Sequence, residues 1–232
     1  MNSLGDSYKA LVIGSSGTIG LAFATALKND SNCRLVACLS RNTVPDFCLE
    51  NEASISYSAN LLAPNAPFDL IIDATGALTI DDQAPEKQLG ALNPIQLSRA
   101  FQINTIGPAL IIKHFLPLMD TKKRAIYAKL SARVGSISDN QKGGWYSYRA
   151  SKAALNMILQ TAAIESSRSR PNLVFAALQP GTVASKLSAN FVCPDQCLPA
   201  TVAVQGLMTA LDGLATKKGA HFIDYQGQNI PW

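Results

Sequence analysis

Two tyrosines, Tyr146 and Tyr148, stand two positions apart in the segment GGWYSYRASKAALN, and only the second has a lysine, Lys152, four positions further on. Residues four apart on a helix lie on one face, about one turn from each other. A phenol and an ammonium group can therefore point into the same space here. The alternative is a surface helix with an unpaired lysine, so the meaning of the pair depends on the elements around it.

The composition indicates one well-buried domain. The chain has 232 residues, of which 47% are hydrophobic and 16% charged, and its net charge is +4. We expect a single domain over residues 1–232, and the lack of a block of like charges speaks against a nucleic-acid surface. Because apolar runs end well short of the roughly 20 residues that span a bilayer and no signal-peptide pattern is present, we expect a cytoplasmic protein with no membrane partner.

The five cysteines indicate neither a disulfide framework nor a metal site. Their number is odd in a chain large enough to fold without cross-links, so reduced thiols are the simplest interpretation. Cys193 and Cys197 have Pro194 between them and no second ligand pair, and His114 and His221 are distant in sequence. No metal site is predicted.

Strand-length apolar runs alternate with longer segments of helical period along the whole chain. Helices are predicted at 18–30, 94–119, 147–167 and about 198–216. Strict alternation of this kind favours parallel pairing and a doubly wound sheet. The predicted fold is a single Rossmann-type α/β domain with a mostly parallel seven-stranded sheet flanked by helices. The predicted strands are 9–14, 34–40, 54–59, 68–76, 123–131, 172–181 and 219–227.

The segment VIGSSGTIG places three glycines between the first strand and the first helix. Glycines there permit a tight turn and let the backbone approach a pyrophosphate, which the positive end of the helix attracts. A plain strand-to-helix turn is the alternative, but the position after the first strand of an alternating chain favours a dinucleotide site. The predicted loop consists of Gly14, Ser15, Ser16, Gly17, Thr18, Ile19 and Gly20.

The end of the second strand indicates which dinucleotide binds. Ser40 and Arg41 stand where an acidic residue would bond the ribose 2′-hydroxyl of NAD. A guanidinium suits a 2′-phosphate, so NADP(H) is preferred and NAD(H) stays open, unless Arg41 is only a solvated surface residue. A nicotinamide cofactor and Lys152 beside Tyr148 would favour the phenolate and lower its pKa, which makes the phenol a usable general acid.

Several motifs in the expected order resemble the short-chain dehydrogenase/reductase family over essentially the whole chain. They are the glycine loop, DATG at 73–76, Asn104, a serine segment at 131–136, Tyr148 with Lys152, and PGTV at 180–183. The segment 135–156 and the stretch DYQGQNIPW are similar to the C-factor and sniffer-type carbonyl reductase branch.

The resemblance implies roles for individual residues. Tyr148 would exchange a proton with the substrate oxygen, Lys152 would hold the nicotinamide ribose, and Asn104 would help to hold a water in the proton path. The resemblance also implies a homodimer or homotetramer, formed through 94–119 and 147–167. The remaining cofactor contacts that it implies are Asn60 and Leu61 at the adenine, Ala74, Thr75 and Gly76 along the adenosine, and Pro180, Gly181, Val183 and Ser185 beside the nicotinamide.

The chain departs from the family pattern in two places. The family motif NNAG is replaced by DATG, with Asp73 in place of the first asparagine. The usual position of the catalytic serine holds Ala132, so Ser131 is the chosen candidate and Ser136 the second. Adjacent strand residues face opposite sides, which makes the orientation of Ser131 the open question.

Asn104 has a second feature of interest in its backbone. Pro108 has no N–H, so the carbonyl of residue 104 loses its intrahelical donor and could bind the relay water. A kinked buried helix is the alternative.

The leading hypothesis is an NADP(H)-dependent carbonyl reductase or alcohol dehydrogenase with Tyr148 as general acid and base. Its substrate pocket would include the loops 135–146 and 184–198. The alternative is a cofactor-binding signalling or sensor protein of the same fold with little or no turnover. A sugar-nucleotide epimerase is disfavoured, because too few residues follow the sixth strand to form a substrate subdomain.

Overall fold

A parallel sheet of six strands forms the centre of the molecule in the computed structural model, which describes residues 1–185, 195 and 197–232. The strand order is β2-β1-β3-β4-β5-β6, and every neighbouring pair is parallel. Strand β2 lies on one side of β1 and β3 lies on the other, so the direction of the strand order reverses between β1 and β3. Open α/β sheets bind ligands at such a switch point. The strands are β1 (Tyr8–Ile13), β2 (Cys33–Leu39), β3 (Leu70–Asp73), β4 (Ala125–Leu130), β5 (Leu173–Gln179) and β6 (His221–Asp224).

Helices cover both faces of the sheet. They are α1 (Thr18–Lys28), α2 (Glu52–Leu62), α3 (Pro94–Phe101), α4 (Gly107–Phe115), α5 (Tyr146–Ser166) and α6 (Ala200–Gly213), with a π turn at Gln102–Ile106. Short 3-10 turns lie at Asn2–Leu4, Ala63–Asn65, Leu89–Ala91, Leu116–Leu118 and Arg133–Gly135. In the described parts of the chain, none of these helices has both the length and the apolar character needed to cross a membrane.

Alternate residues of each strand enter two separate cores. In β1, Leu11 and Ile13 pack on the side of α2, α4 and α5, whereas Val12 packs on the side of α1 and α6. Because both faces are covered, the strands are apolar without a break rather than alternating. The predicted doubly wound α/β fold is confirmed.

The predicted strand at 54–59 is wrong, because these residues belong to α2. Asn51 caps this helix by accepting a hydrogen bond from the Ser54 N–H at 3.3 Å, and Ile55 and Ala59, one turn apart, are buried. Capping and helical spacing outweigh the short alternating pattern on which the strand was based. The sheet therefore has six strands in the described residues, not seven.

The predicted helix 94–119 is helical throughout but changes its winding. Asn93 caps α3, and Pro94 stands in its first turn. The N–H of Gly107 bonds to the carbonyl of Gln102, five residues back, which defines the π turn. Pro108 follows directly and lacks the N–H of a regular helix. Such turns are frequently found at functional sites, and this one carries Asn104.

Candidate active site

The glycine loop connects β1 to α1 at the carboxyl edge of the sheet. Gly14 has a φ of +81°, and a Cβ there would stand 3.0 Å from the backbone of Ala74. A Cβ on Gly20 would stand 2.2 Å from the Gly14 carbonyl oxygen, so only glycine lets the helix pack this closely on the loop. Gly17 is the N-cap of α1 and provides no side-chain cap. The first N–H groups of α1 are therefore available to an anion.

A cleft of about 350 Å³, here called the inner cleft, extends from this loop to the active-site helix. Tyr148 and Lys152 from α5 and Ser131 from the end of β4 border it together. The structure thus brings three of the four predicted catalytic residues to one space beside the predicted cofactor loop. Its other lining residues are Ser16, Gly17, Thr18, Ile19, Gly20, Ala74, Thr75, Gly76, Ala77, Leu130, Pro180 and Ser185.

Tyr148 and Lys152 lie on the same face of α5, as their spacing predicts. Lys152 Nζ is 5.7 Å from the centre of the Tyr148 ring and donates a hydrogen bond to the carbonyl of Leu130 at 3.3 Å. Both side chains are buried. The helix can approach the Arg133–Gly135 turn closely because Gly135 has no side chain, and a Cβ there would stand 2.8 Å from the Lys152 carbonyl carbon. Tyr146, the other tyrosine of the segment, is exposed.

Burial dominates the pKa values of this pair in the chain alone. Burial raises the pKa of Tyr148 above its ordinary value in the chain alone. Burial also lowers the pKa of Lys152 from 10.5 to about 7, and the charge of Lys129 adds to that effect while Asp73 opposes it. The lowering of the phenol pKa was predicted for a site with a nicotinamide cofactor beside it, and it stays a prediction.

The two candidate serines occupy different environments. Ser131 borders the inner cleft, and its hydroxyl donates to Asn156 Oδ1 at 2.6 Å. Ser136 is 1% exposed, and its hydroxyl accepts from the Asp139 N–H at 3.0 Å in a local turn. Ser131 follows the last residue of β4, and continued alternation places it on the side of α5, because Ala125 and Tyr127 pack on that side and Leu130 on the other.

Asn104 does not border the inner cleft but bonds to the segment that follows β3. Its side chain is fully buried; Oδ1 accepts from the Ala77 N–H at 2.9 Å, and Nδ2 donates to the Ala77 carbonyl at 2.9 Å. A Cβ on Gly76 would stand 3.2 Å from Asn104 Oδ1 and 3.3 Å from Lys152 Nζ. The amide is therefore committed to the backbone, and a role with water would fall to the residue-104 carbonyl.

A second space, here called the outer cleft, has a volume of about 660 Å³ and continues past the end of β2. It shares Ser16, Gly17 and residues 74–77 with the inner cleft, and Gly14, Ser40 and Arg41 border it. Ser15, although part of the glycine loop, is buried and does not border either cleft. The remaining lining residues are Pro45, Asp46, Phe47, Cys48, Leu49, Glu50, Thr79, Ile80, Asp81 and Ile103.

The predicted adenine contacts Asn60 and Leu61 do not border this cleft. Both are exposed on α2. The loop from Pro45 to Glu50 lines the cleft instead. Sequence reasoning missed this loop, although its position directly after β2, at the carboxyl edge of the sheet, was a usable signal.

The loop after β5 contributes two of its four predicted contacts to the inner cleft, Pro180 and Ser185. Gly181, with a φ of +78°, packs against Leu198 and Tyr225, and Val183 is buried. Of the predicted substrate loop 184–198, residues 186–194 and 196 lie outside the described residues.

Glu86 is a site residue that sequence reasoning missed. Its carboxylate is buried and accepts from the N–H of Ser147 at 3.0 Å and from its hydroxyl at 2.6 Å. Burial raises the pKa of Glu86, but the hydrogen bonds from Ser147 more than offset this and leave it below the usual value. Its backbone carbonyl also accepts from the Trp145 N–H. Glu86 thus caps α5 one residue before Tyr148.

A parallel sheet with a glycine loop and two clefts at its switch point defines a Rossmann-type α/β protein. A model of the short chain dehydrogenase family matches residues 51–193, more than half of the sequence. The chain belongs to the short-chain dehydrogenase family. The predicted family and enzyme class, a short-chain dehydrogenase/reductase, are confirmed.

Two curated relatives span much of the chain. C-signal of Myxococcus xanthus is 36% identical over 145 residues, which cover 62% of this chain and 83% of that protein. The 1-hydroxy-2-glutathionyl-2-methyl-3-butene dehydrogenase of Rhodococcus sp. (strain AD45) is 26% identical over 232 residues, which cover 96% of this chain and 98% of that protein. The first of these agrees with the predicted branch.

Solved structures share the fold at low sequence identity. The carbonyl reductase Sniffer of D. melanogaster has a TM-score of 0.82 and 20% identity, covering 97% of this chain and 100% of that one. The NADPH-bound carbonyl reductase from chicken fatty liver has a TM-score of 0.82 and 23% identity, covering 98% and 95%. At these identities the likeness shows the fold alone.

Proposed function

We propose that this protein transfers hydride between a nicotinamide dinucleotide, preferably NADP(H), and a carbonyl or alcohol substrate. The observation that carries the proposal is the convergence of Tyr148, Lys152 and Ser131 on the cleft that begins at the glycine loop. The curated dehydrogenase relative and the NADPH-bound structural neighbour support the same chemistry.

The residues present fit a dinucleotide. The inner and outer clefts join along Ser16, Gly17 and residues 74–77, which gives an extended groove across the switch point. The close approach at Gly14 and Gly20 leaves the start of α1 open to a pyrophosphate. Residues of the inner cleft would hold the nicotinamide half, and those of the outer cleft would hold the adenosine half. One domain would then carry both cofactor and substrate sites.

The bound cofactor would supply or accept the hydride at the carbonyl carbon. Tyr148 would protonate the carbonyl oxygen during reduction and accept the proton in the reverse direction. Ser131 would turn from Asn156 to donate a hydrogen bond to the same oxygen, which stabilises the developing negative charge. Lys152 would bond the ribose, and its charged form would favour the phenolate.

The preference for NADP(H) rests on the residues at the end of β2. Arg41 borders the outer cleft and is exposed, so its guanidinium can reach a 2′-phosphate. Of the acidic residues in this cleft, Glu50 and Asp81 both pair with Arg99, which offsets their repulsion of a phosphate. NAD(H) would bind without the guanidinium contact and hence more weakly.

The test is NADPH oxidation across a panel of ketones and aldehydes, with Tyr148→Phe and Tyr146→Phe as a matched pair. Both variants remove one phenolic hydroxyl from the same turn of α5, but only Tyr148 borders the cleft. We expect the Tyr148 variant to lose about 10²-fold or more in kcat and the Tyr146 variant to stay near wild type. Equal activity in wild type and Tyr148→Phe would reject the mechanism.

A cofactor-binding signalling protein is the second candidate, favoured by the 36% identity with C-signal. It predicts that NADPH binds but that no carbonyl in the panel is reduced. Isothermal titration of NADPH alongside the turnover assay separates the two functions.

We also propose a homodimer or homotetramer formed through α4 and α5. Exposed Met157 and the neighbouring Ile158 border a groove between these helices, together with Ile112 and Leu116. Sedimentation of wild type and Met157→Glu tests this assembly, and an unchanged mass in the variant would contradict it.

A further inference from the structure

A buried ion pair below the inner cleft has no part in the proposed mechanism. Asp73 and Lys129 form the last register pair between β3 and β4. Neither side chain is exposed, and Lys129 Nζ lies 3.0 Å from Asp73 Oδ1. Because desolvation offsets much of the attraction in such a pair, stability alone is a weak reason for its presence.

The pair binds the segment that follows β3. Lys129 Nζ donates to the Thr75 carbonyl at 2.6 Å and lies 3.0 Å from the Thr75 hydroxyl oxygen. Asp73 Oδ1 accepts from the Thr75 N–H at 2.9 Å and from its hydroxyl at 2.6 Å. Thr75 is therefore held at both backbone and side chain, and the segment 74–77 that contains it borders both clefts.

Lys152 is the second cation in this region. A Cβ on Gly76, the residue after Thr75, would stand 3.3 Å from Lys152 Nζ, so the segment held by Lys129 lies next to the active-site lysine. The charge of Lys129 lowers the pKa of Lys152 in addition to the larger effect of burial. Around Lys152 lie the Tyr148 ring on α5, the Leu130 carbonyl at the end of β4, and the charged groups Lys129 on β4 and Asp73 on β3. The 133–135 turn meets it through Gly135.

We propose that the Asp73–Lys129 ion pair is a positioning element of the active site, which fixes the segment 74–77 and places a second cation beside Lys152. Lys129 acts through Thr75 and Lys152 rather than on the substrate. The pair takes the place of the asparagine that opens the family motif NNAG, so Asp73→Asn restores the family residue. The catalytic consequence rests on the proposed function, but the geometry and the charges can be tested in the cofactor-free protein.

The first test follows the Lys152 side chain by NMR of protein labelled with ¹³C-lysine, its signal being assigned from its loss in Lys152→Met. Lys129→Met removes the neighbouring cation, and we expect Lys152 to titrate on the order of one pH unit higher. Asp73→Asn removes the opposing anion, and we expect the midpoint to move to lower pH. In the double variant, the Lys152 midpoint should be at a higher pH than in Asp73→Asn.

Shifts of the Lys152 midpoint in opposite directions indicate an electrostatic role. A loss of structure would shift the midpoint in the same direction in both variants. Lys28→Met is the matched control, since it removes an exposed cation from the last residue of the 11-residue helix α1, at the end away from the glycine loop. Its Lys152 midpoint should equal that of wild type. Shifts of the same sign, or no shift, would overturn the charge part of the proposal. If Lys129→Met does not fold, the comparison of Asp73→Asn with the double variant decides.

The second test measures amide hydrogen exchange in the segment 74–77 of the free protein. We expect exchange to rise about tenfold in Thr75→Val, which loses the hydroxyl, and to stay near wild type in Thr75→Ser, which keeps it. Equal exchange in all three proteins would overturn the positioning part. Because neither test uses cofactor or substrate, a failed carbonyl assay and a failed ion-pair test are separate results.

Discussion

Lys152 should make the cofactor-free protein more stable as the pH rises above neutrality. Burial lowers the pKa of this side chain from 10.5 in an unfolded chain to about 7 in the fold. Between these two values the unfolded chain binds a proton that the folded chain does not bind. The free energy of unfolding therefore increases with pH in this window, by up to about 1.4 kcal/mol per pH unit.

The full penalty for a charged Lys152 is roughly 5 kcal/mol, and it is present below about pH 7. Integration from about pH 7 to about pH 9.5 gives a gain in stability of about 3 kcal/mol from this one group. Because the pKa of Tyr148 is raised in the fold, the unfolded chain loses this proton first, near pH 10, and Tyr148 opposes the trend only slightly at the upper end of this range.

Urea unfolding of wild type and Lys152→Met over this pH range measures the effect, with Lys28→Met as the control for loss of a surface charge. The informative quantity is the difference in unfolding free energy between wild type and Lys152→Met, because other titrating groups cancel in it. We expect the methionine variant to be the more stable protein at pH 7 and its advantage to shrink by about 3 kcal/mol at about pH 9.5. A difference that is constant or grows with pH would refute the reasoning.

Three further predictions concern single side chains. Ser131→Ala should lower kcat about 10²-fold with a carbonyl substrate, whereas Ser136→Ala should stay within about threefold of wild type; the reverse order in steady-state kinetics would assign the role to Ser136. Arg41→Ala should raise the KM for NADPH about tenfold and leave that for NADH within about twofold, because only NADPH has the 2′-phosphate; equal changes in both would remove Arg41 from the cofactor site. Glu86→Ala should lower the free energy of unfolding by about 2 kcal/mol or more, because the buried N–H and hydroxyl of Ser147 lose their acceptor, and an unchanged urea midpoint would contradict this cap.

Local patterns were sufficient for much of the fold. The alternation of apolar strands and helical segments predicted all six strands that the structure shows, and the glycine spacing placed the loop before α1. The failure at 54–59 had a local cause too, since a six-residue alternating pattern is compatible with a helix when a cap such as Asn51 precedes it.

The candidate site was predictable to the extent that its residues depend on spacing. Tyr148 and Lys152 share a face because they are four residues apart on one helix, and this holds wherever the helix lies. The position of Ser131 required the side of the sheet covered by α5 to be known, because alternation relates Ser131 to Ala125 and Tyr127 but does not say which side carries the cleft. Glu86 came from a loop with no motif, and only its contact with Ser147 identified it.

The sequence by itself determined the order of the strands, the glycine loop between β1 and α1, and the placement of Tyr148 and Lys152 on one face of a helix. Each of these depends on neighbours within a few residues along the chain. Only the tertiary structure decided the charges in the site. The enclosure of Lys152, the pairing of Asp73 with Lys129 and the raised pKa of Tyr148 arise from residues on separate strands and helices. Solvent exclusion and charge–charge distance are properties of the packed molecule, and no spacing along the chain contains them.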